Sequence, residues 1–311
     1  MTSMPTWVYA LLTTLTALIV ATILIPLLRV VLAPLLGVEP QPITNRLPAA
    51  AGSASVLLAV VALIPMGGDG LVVAVGNSRL ALGMLLALGL LVLGTTRSYR
   101  RLEARQRLWL QAGFAVMATL VGLLPSGVSP APVAHATGVL ILLVSMNTLG
   151  HLDSLDGLAA GSAALATAFL ALIAQGLGAP EWSDLNLGLC GALLALLAFN
   201  LAGGRFRAEL GAGGGLAVGF LLGVSLLALS EQAVPGSRPF LALPLALPFM
   251  NLLVVVLGRG ASGRPFDDDR RDRIHELLLD FGLTSRQVLA LSWTLSATTG
   301  LAALRLLDLL P

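Results

Sequence analysis

The chain has 311 residues, 57% of them hydrophobic and 11% charged, with a formal net charge of +2 and a mean hydropathy of +0.92. Soluble domains carry roughly 25% charged residues, so this composition excludes an ordinary soluble enzyme or a nucleic-acid-binding module and points to a lipid bilayer. The single cysteine, Cys190, lies inside an apolar run, which excludes an intrachain disulfide and a cysteine-based metal site.

Crossing the hydrocarbon core takes roughly 17–25 apolar residues. Such runs are expected at 7–31, 49–67, 80–96, 108–125, 132–149, 158–178, 186–202, 211–230, 239–258 and 286–306. The predicted fold class is all-α: a polytopic membrane protein of about ten transmembrane helices, one membrane domain over 1–311, with a polar groove facing the cytoplasm. The first run has no basic n-region and no A-x-A-like site close behind it, so it is expected to be a retained helix rather than a cleaved signal.

All 18 basic residues are Arg. Fifteen of them lie in or beside the loops that follow odd-numbered runs, which leaves Arg79, Arg238 and Arg305 for the opposite side. By the positive-inside rule the Arg-rich face is cytoplasmic and both termini are outside. The dense polar stretches belong to that same face: 39–52, 94–111, "NTLGHLDSLDGLAAG" (147–161), "GGRFRAELGAGGG" (203–215) and 258–287. A pump or channel places ionisable groups at mid-membrane. Polar loops gathered at one surface fit an interfacial site instead, one that handles a lipid headgroup together with a cytosolic molecule.

Four of these stretches carry a resemblance. "NTLGHLDSLDGLAAG" resembles Asn-x-x-Asn-x-x-Asp-Gly-x-Asp-Gly-Leu-Ala-x-Gly, the signature of the polyprenyl-phosphate N-acetylhexosamine-1-phosphate transferases, the MraY/WecA-type bacterial family. "RLEARQRLWLQ" resembles the segment after that family's paired aspartates, "GRPFDDDRRDRIHELLLDFGLTSRQ" its last cytoplasmic loop, and "NRLPAAAG" its first loop. The resemblance covers roughly residues 40–300. It implies a location in the bacterial plasma membrane and a reaction in which polyprenyl phosphate attacks a UDP-linked amino sugar and releases UMP. It also implies Mg²⁺, which neutralises the developing diphosphate charge and takes oxygen ligands.

The chain departs from this pattern at several positions. Counting back from Arg105 and Gln106, the paired aspartates become Arg97 and Ser98, while the basic residue after the glutamine is Arg107. The aspartate of the late Gly-Asp-x-Gly-Ser motif becomes Ala212. In the signature, Asn147, Asp153, Asp156 and Gly157 match, whereas Gly150 and Ser154 replace an asparagine and a glycine. The His-x-His-His motif maps to Arg273, Ile274, His275 and Glu276.

The resemblance therefore implies Asp153, Asp156 and His275 as catalytic positions, and Asn147, Arg97, Arg107 and Arg273 as substrate or phosphate contacts. Asp153 and Asp156 equally suit capping of the helix that follows them. A guanidinium at Arg97 repels Mg²⁺ but attracts phosphate and can bind it bidentately, so no cofactor is expected. Three readings follow. The first is a catalytically degenerate homologue that binds polyprenyl phosphate or diphosphate lipid, or an active paralogue. The second is an active transferase whose Mg²⁺ sits on substitute acids, Glu209, Asp267, Asp268 and Asp269. The third is a lipid-phosphate carrier. A homodimer is expected from the resemblance alone, and no nucleic-acid partner is expected.

Overall fold

The computed structural model describes residues 6–35, 78–96, 101–202, 207–263 and 273–309. Ten α-helices occur among them: α1 (Thr6–Leu35), α2 (Ser78–Thr95), α3 (Ala104–Leu120), α4 (Ala131–Thr148), α5 (Leu158–Gly176), α6 (Pro180–Ala202), α7 (Gly211–Gln232), α8 (Ala246–Ala261), α9 (Ile274–Asp280) and α10 (Ser285–Leu306). A 3₁₀ segment, Pro235–Leu245, leads into α8 and contains Pro239 and Pro244. Proline removes amide donors and clashes with the preceding turn, which accounts for the α-helical part of this run starting only at Ala246. No strand occurs among the described residues.

Eight stretches are long and apolar enough to cross a membrane. Of the ten expected spans, 49–67 lies outside the described residues, and 108–125 appears as the 17-residue α3. The protein is an all-α, multi-pass membrane bundle.

The bundle is built around α7, in which every residue from Gly213 to Ser230 is buried. Its sequence is apolar on all sides, the pattern of a helix surrounded by others. Lipid tails are as apolar as leucine, so helices associate in a membrane through close packing, which small residues permit. A β-carbon on Gly219 would collide with the Ser145 carbonyl of α4, and one on Gly213 would come within 2.7 Å of the Leu91 carbonyl of α2. The "GAGGG" run is thus a contact surface between helices. Around this axis α2 and α4 pack on α7, α5 pairs with α6, α1 lies along α6, and α10 covers α5 and the 3₁₀ segment.

Alternate helices run in opposite directions, so the C-termini of α4 and α6 and the N-termini of α5 and α7 meet at one end of the bundle. The loop 149–157 lies there.

Candidate functional site

Asp153 lies in the turn between α4 and α5, yet it caps neither. Its Oδ2 accepts a hydrogen bond of 2.7 Å from the Gly211 amide, the first residue of α7. The expected capping of α5 is therefore not observed; the carboxylate instead serves the first amide of a helix 58 residues away in the chain. An α-helix leaves its first amides without intrahelical partners, and a carboxylate also complements the positive end of the helix dipole. Burial pushes the Asp153 carboxyl up to about 6, against the two amide bonds from Gly211 and Leu210 and with the help of Glu209 and Asp156 nearby.

Asp156 does not cap α5 either. Its Oδ1 forms an ion pair with Nη2 of Arg207, and the same nitrogen lies 3.3 Å from Oε1 of Glu209. One guanidinium thus bridges a carboxylate from the signature and one from the loop preceding α7. The N-cap of α5 is Gly157, which adopts a left-handed conformation (φ +84°). Glycine takes this region without steric cost, and a β-carbon here would also strike Leu201. The Gly157 amide donates to Oδ1 of Asn200, whose Nδ2 donates to the Ala208 carbonyl at 2.8 Å. Asn200, only 5% exposed, therefore fastens the α5 start to the 207–210 strap.

His275 reaches the same loop from α9. Its Nε2 shares a 2.6 Å hydrogen bond with Oγ of Ser154, the serine that stands where the resemblance expects glycine. The ring is 3% exposed. Burial, and then the neighbouring Arg273 charge, lower its pKa to about 4, so at neutral pH it is an uncharged imidazole. Asn251 of α8 accepts from the Ile274 amide at 3.0 Å and so holds the first turn of α9. Arg273 is engaged locally by Glu276: its amide donates to Oε2 at 3.2 Å and its Nη1 to Oε1 at 3.3 Å.

The structure thus brings Asp153, Ser154, Asp156, Asn200, Arg207, Glu209 and His275 together. Asn147 faces another way: its Nδ2 donates to Gln111 of α3 at 2.6 Å and to the Leu143 carbonyl at 2.8 Å. Arg107 lies one turn before Gln111 on the same helical face. Arg97, Ser98, Asp267, Asp268 and Asp269 lie outside the described residues.

Two glutamines from the resembling motifs prove to be helix caps. The Gln106 side chain accepts from the Glu103 amide at 3.0 Å, and Gln287 accepts from the Thr284 amide at 2.8 Å. The second is a capping box of the Thr-x-x-Gln kind. Sequence reasoning missed Asn200, Asn251 and the bridging role of Arg207. Their signal was present for the asparagines, since isolated polar residues in apolar spans are expensive and usually have an assigned partner.

The described side chains do not fit Mg²⁺. The ion demands a near-octahedral set of oxygens, and among the described residues no group of three acidic, histidine or cysteine side chains is arranged to hold a metal. Asp156 and Glu209 already share a guanidinium, and Asp153 is committed to a helix N-terminus.

The sequence that builds this site is similar to those of known proteins. Residues 80–230 match the family described as Glycosyl transferase family 4. That central segment belongs to glycosyl transferase family 4. Over 284 residues the chain is 34% identical to a Streptomyces coelicolor protein provisionally named a glycosyltransferase, covering 88% of this chain and 63% of that one. It is 26% identical over 179 residues to the Escherichia coli K12 undecaprenyl-phosphate alpha-N-acetylglucosaminyl 1-phosphate transferase, covering 55% of this chain and 48% of that enzyme. The Yersinia pestis enzyme of the same name is 27% identical over 169 residues, 51% of this chain and 45% of that one. The chain spans between about half and under two thirds of the length of these relatives. The glycosyl transferase family 4 segment contains the 149–157 loop, Arg207, Glu209 and the whole of α7 except its last two residues.

Proposed function

We infer that this glycosyl transferase family 4 chain is a membrane-embedded binder of polyprenyl phosphate or diphosphate lipid that does not carry out sugar-phosphate transfer. One observation supports the reading. Asp153, Asp156 and His275, the groups that the resemblance implies as catalytic, are each engaged by a partner inside the protein: the Gly211 amide, Arg207 and Ser154. Loss of a single preorganised charge at an active site commonly costs about 10²–10³ in rate, and Arg97, Ser98 and Ala212 stand where the resembling motifs carry aspartates. The phosphate would be held by the basic segment that includes Arg97, Arg101 and Arg107, because a guanidinium binds phosphate bidentately without metal. In this reading the Arg-rich loops face the bacterial cytosol and both termini lie outside. The partner is the lipid, an active paralogue, or a second copy of the chain.

A working transferase is the second reading, and the Asp153 carboxyl favours it. An acid held near 6 in a buried site is poised to exchange a proton close to neutral pH. In that case the metal would require Glu209 together with Asp267, Asp268 and Asp269, and a UDP-amino sugar would be the second substrate.

Release of UMP from UDP-N-acetylglucosamine by the purified protein, with polyprenyl phosphate and Mg²⁺ present, separates the two. The expected result is no release, with polyprenyl phosphate binding that weakens about tenfold in Arg97→Ala or Arg107→Ala. Turnover that vanishes in Asp153→Asn overturns the binding-only reading.

A further inference from the structure

At the end of the bundle remote from Asp153, a second site is built from different elements. A cavity of about 560 Å³ lies between the loop before α4, the Leu140–Val144 stretch of α4, the end of α7 and the 3₁₀ segment. Its walls include Leu140, Val144, Leu227, Leu241 and Phe249, and it falls in the size range of small-molecule sites. Its α7 wall, Leu226 to Ser230, begins 15 residues beyond Gly211, so at 1.5 Å per residue the cavity and the Asp153 loop are separated by about 23–29 Å along that helix.

The cavity carries one charge. Arg238 lines it and makes two hydrogen bonds, from Nη1 to the Ser126 carbonyl at 2.9 Å and from Nε to the Ala233 carbonyl at 3.4 Å. Among the described residues no carboxylate pairs with it. The contrast with Arg79 at the same end is informative, because that guanidinium is neutralised by Glu231 at 2.6 Å. Arg238 is held in place by carbonyls, its charge is uncompensated, and its Nη2 donors remain for an oxyanion. The loop also yields to it: Gly127 has φ +73°, and a β-carbon there would overlap Nη1 of Arg238. Ser126, whose hydroxyl has no partner among the described residues, lines the same mouth.

Apart from Ser126 and Ser230 the cavity is apolar, and Leu140 in its wall is 60% exposed on a helix long and apolar enough to cross the membrane. A soluble anion would not select such walls, whereas an acyl chain would, with its phosphate at the guanidinium. We propose that this cavity is a binding site for an anionic glycerophospholipid of the leaflet farther from the Asp153 loop, with its phosphodiester on Arg238 and a chain along α4 and α7. The site is independent of any transfer chemistry at the other end.

The test is native mass spectrometry of the full chain in detergent, titrated with phosphatidylglycerol or with phosphatidylcholine of the same acyl chains. Phosphatidylglycerol is expected to be retained at least tenfold better. Arg238→Gln, which keeps a donor for the Ser126 carbonyl, is expected to abolish that preference while leaving phosphatidylcholine unchanged. Ala242→Trp fills the cavity without touching the guanidinium's partners and is expected to reduce retention of both lipids. Equal retention of the two lipids by the parent protein overturns the proposal, as does a preference that survives Arg238→Gln or a retention that Ala242→Trp leaves unchanged. Displacement of phosphatidylglycerol by an equimolar amount of polyprenyl phosphate also overturns it and assigns the cavity to a prenyl lipid. Polyprenyl phosphate binding that depends on Arg97 or Arg107 should be unaffected by Arg238→Gln, so failure here is distinguishable from failure at the other site.

Discussion

The Asp153 carboxylate accepts the Gly211 amide at 2.7 Å and so ties the turn after α4 to the first residue of α7. Removing a side-chain cap costs about 0.5–2 kcal/mol, whereas an asparagine caps about as well as an aspartate. At pH 7 Asp153→Ala is therefore expected to lower thermal stability in detergent by about 1 kcal/mol, and Asp153→Asn by much less. Equal losses in the two variants would mean that the charge matters and the cap does not.

Asp153 and His275 should give opposite pH dependences. Asp153 binds its proton more readily folded than unfolded, so its stabilising contribution is fully present below about pH 4 and is lost as pH rises through about 6. His275 binds its proton less readily when folded, so its contribution is present above about pH 6.5 and is lost as pH falls through about 4. Each is worth on the order of 3 kcal/mol over its window, and in the parent the two nearly cancel. Relative to the parent, Asp153→Asn should lose stability between pH 6.5 and 4, and His275→Gln should gain it. Melting curves at pH 4.5 and 7 read this directly, and slopes of the same sign in both variants would contradict the assignment.

Two attachments hold the 207–210 strap, and their strengths should differ. Asn200 is buried and serves both the Gly157 amide and the Ala208 carbonyl. Its truncation leaves two buried backbone groups without partners, at about 1–3 kcal/mol each. The Arg207–Asp156 pair is partly exposed, with side-chain exposures of 23% and 41%, and such pairs contribute about 0–1 kcal/mol. Denaturation of Asn200→Ala and Arg207→Gln should rank the asparagine as the costlier loss. The reverse order would make the ion pair the main fastening.

Two helical glycines should respond oppositely to alanine. At Gly219 a β-carbon meets the Ser145 carbonyl and the Met146 backbone of α4, which cannot yield cheaply. At Gly113 in α3 a β-carbon meets nothing within 4 Å. Gly219→Ala is expected to destabilise the α4–α7 packing, and Gly113→Ala to stabilise the protein by up to about 1 kcal/mol through helix propensity. Thermal midpoints of the two variants decide the point.

The sequence by itself determined the membrane class and the helical architecture. Hydropathy is a local property, and in lipid a long apolar run has to satisfy its backbone hydrogen bonds as a helix. It also pointed to the 149–157 loop, because carboxylates between apolar spans are costly enough to need a reason. Only the tertiary structure decided which partner each polar group finds. Asp153 looked like a cap for α5 and is one for α7; Asp156 is tied to Arg207; Ser154 occupies His275. These pairings join residues 51 to 121 positions apart, and spacing along the chain carries no trace of them. The packing of α7 between α2 and α4 brings the 207–211 strap against the turn after α4, and Asn251 of α8 holds the α9 turn from which His275 reaches it.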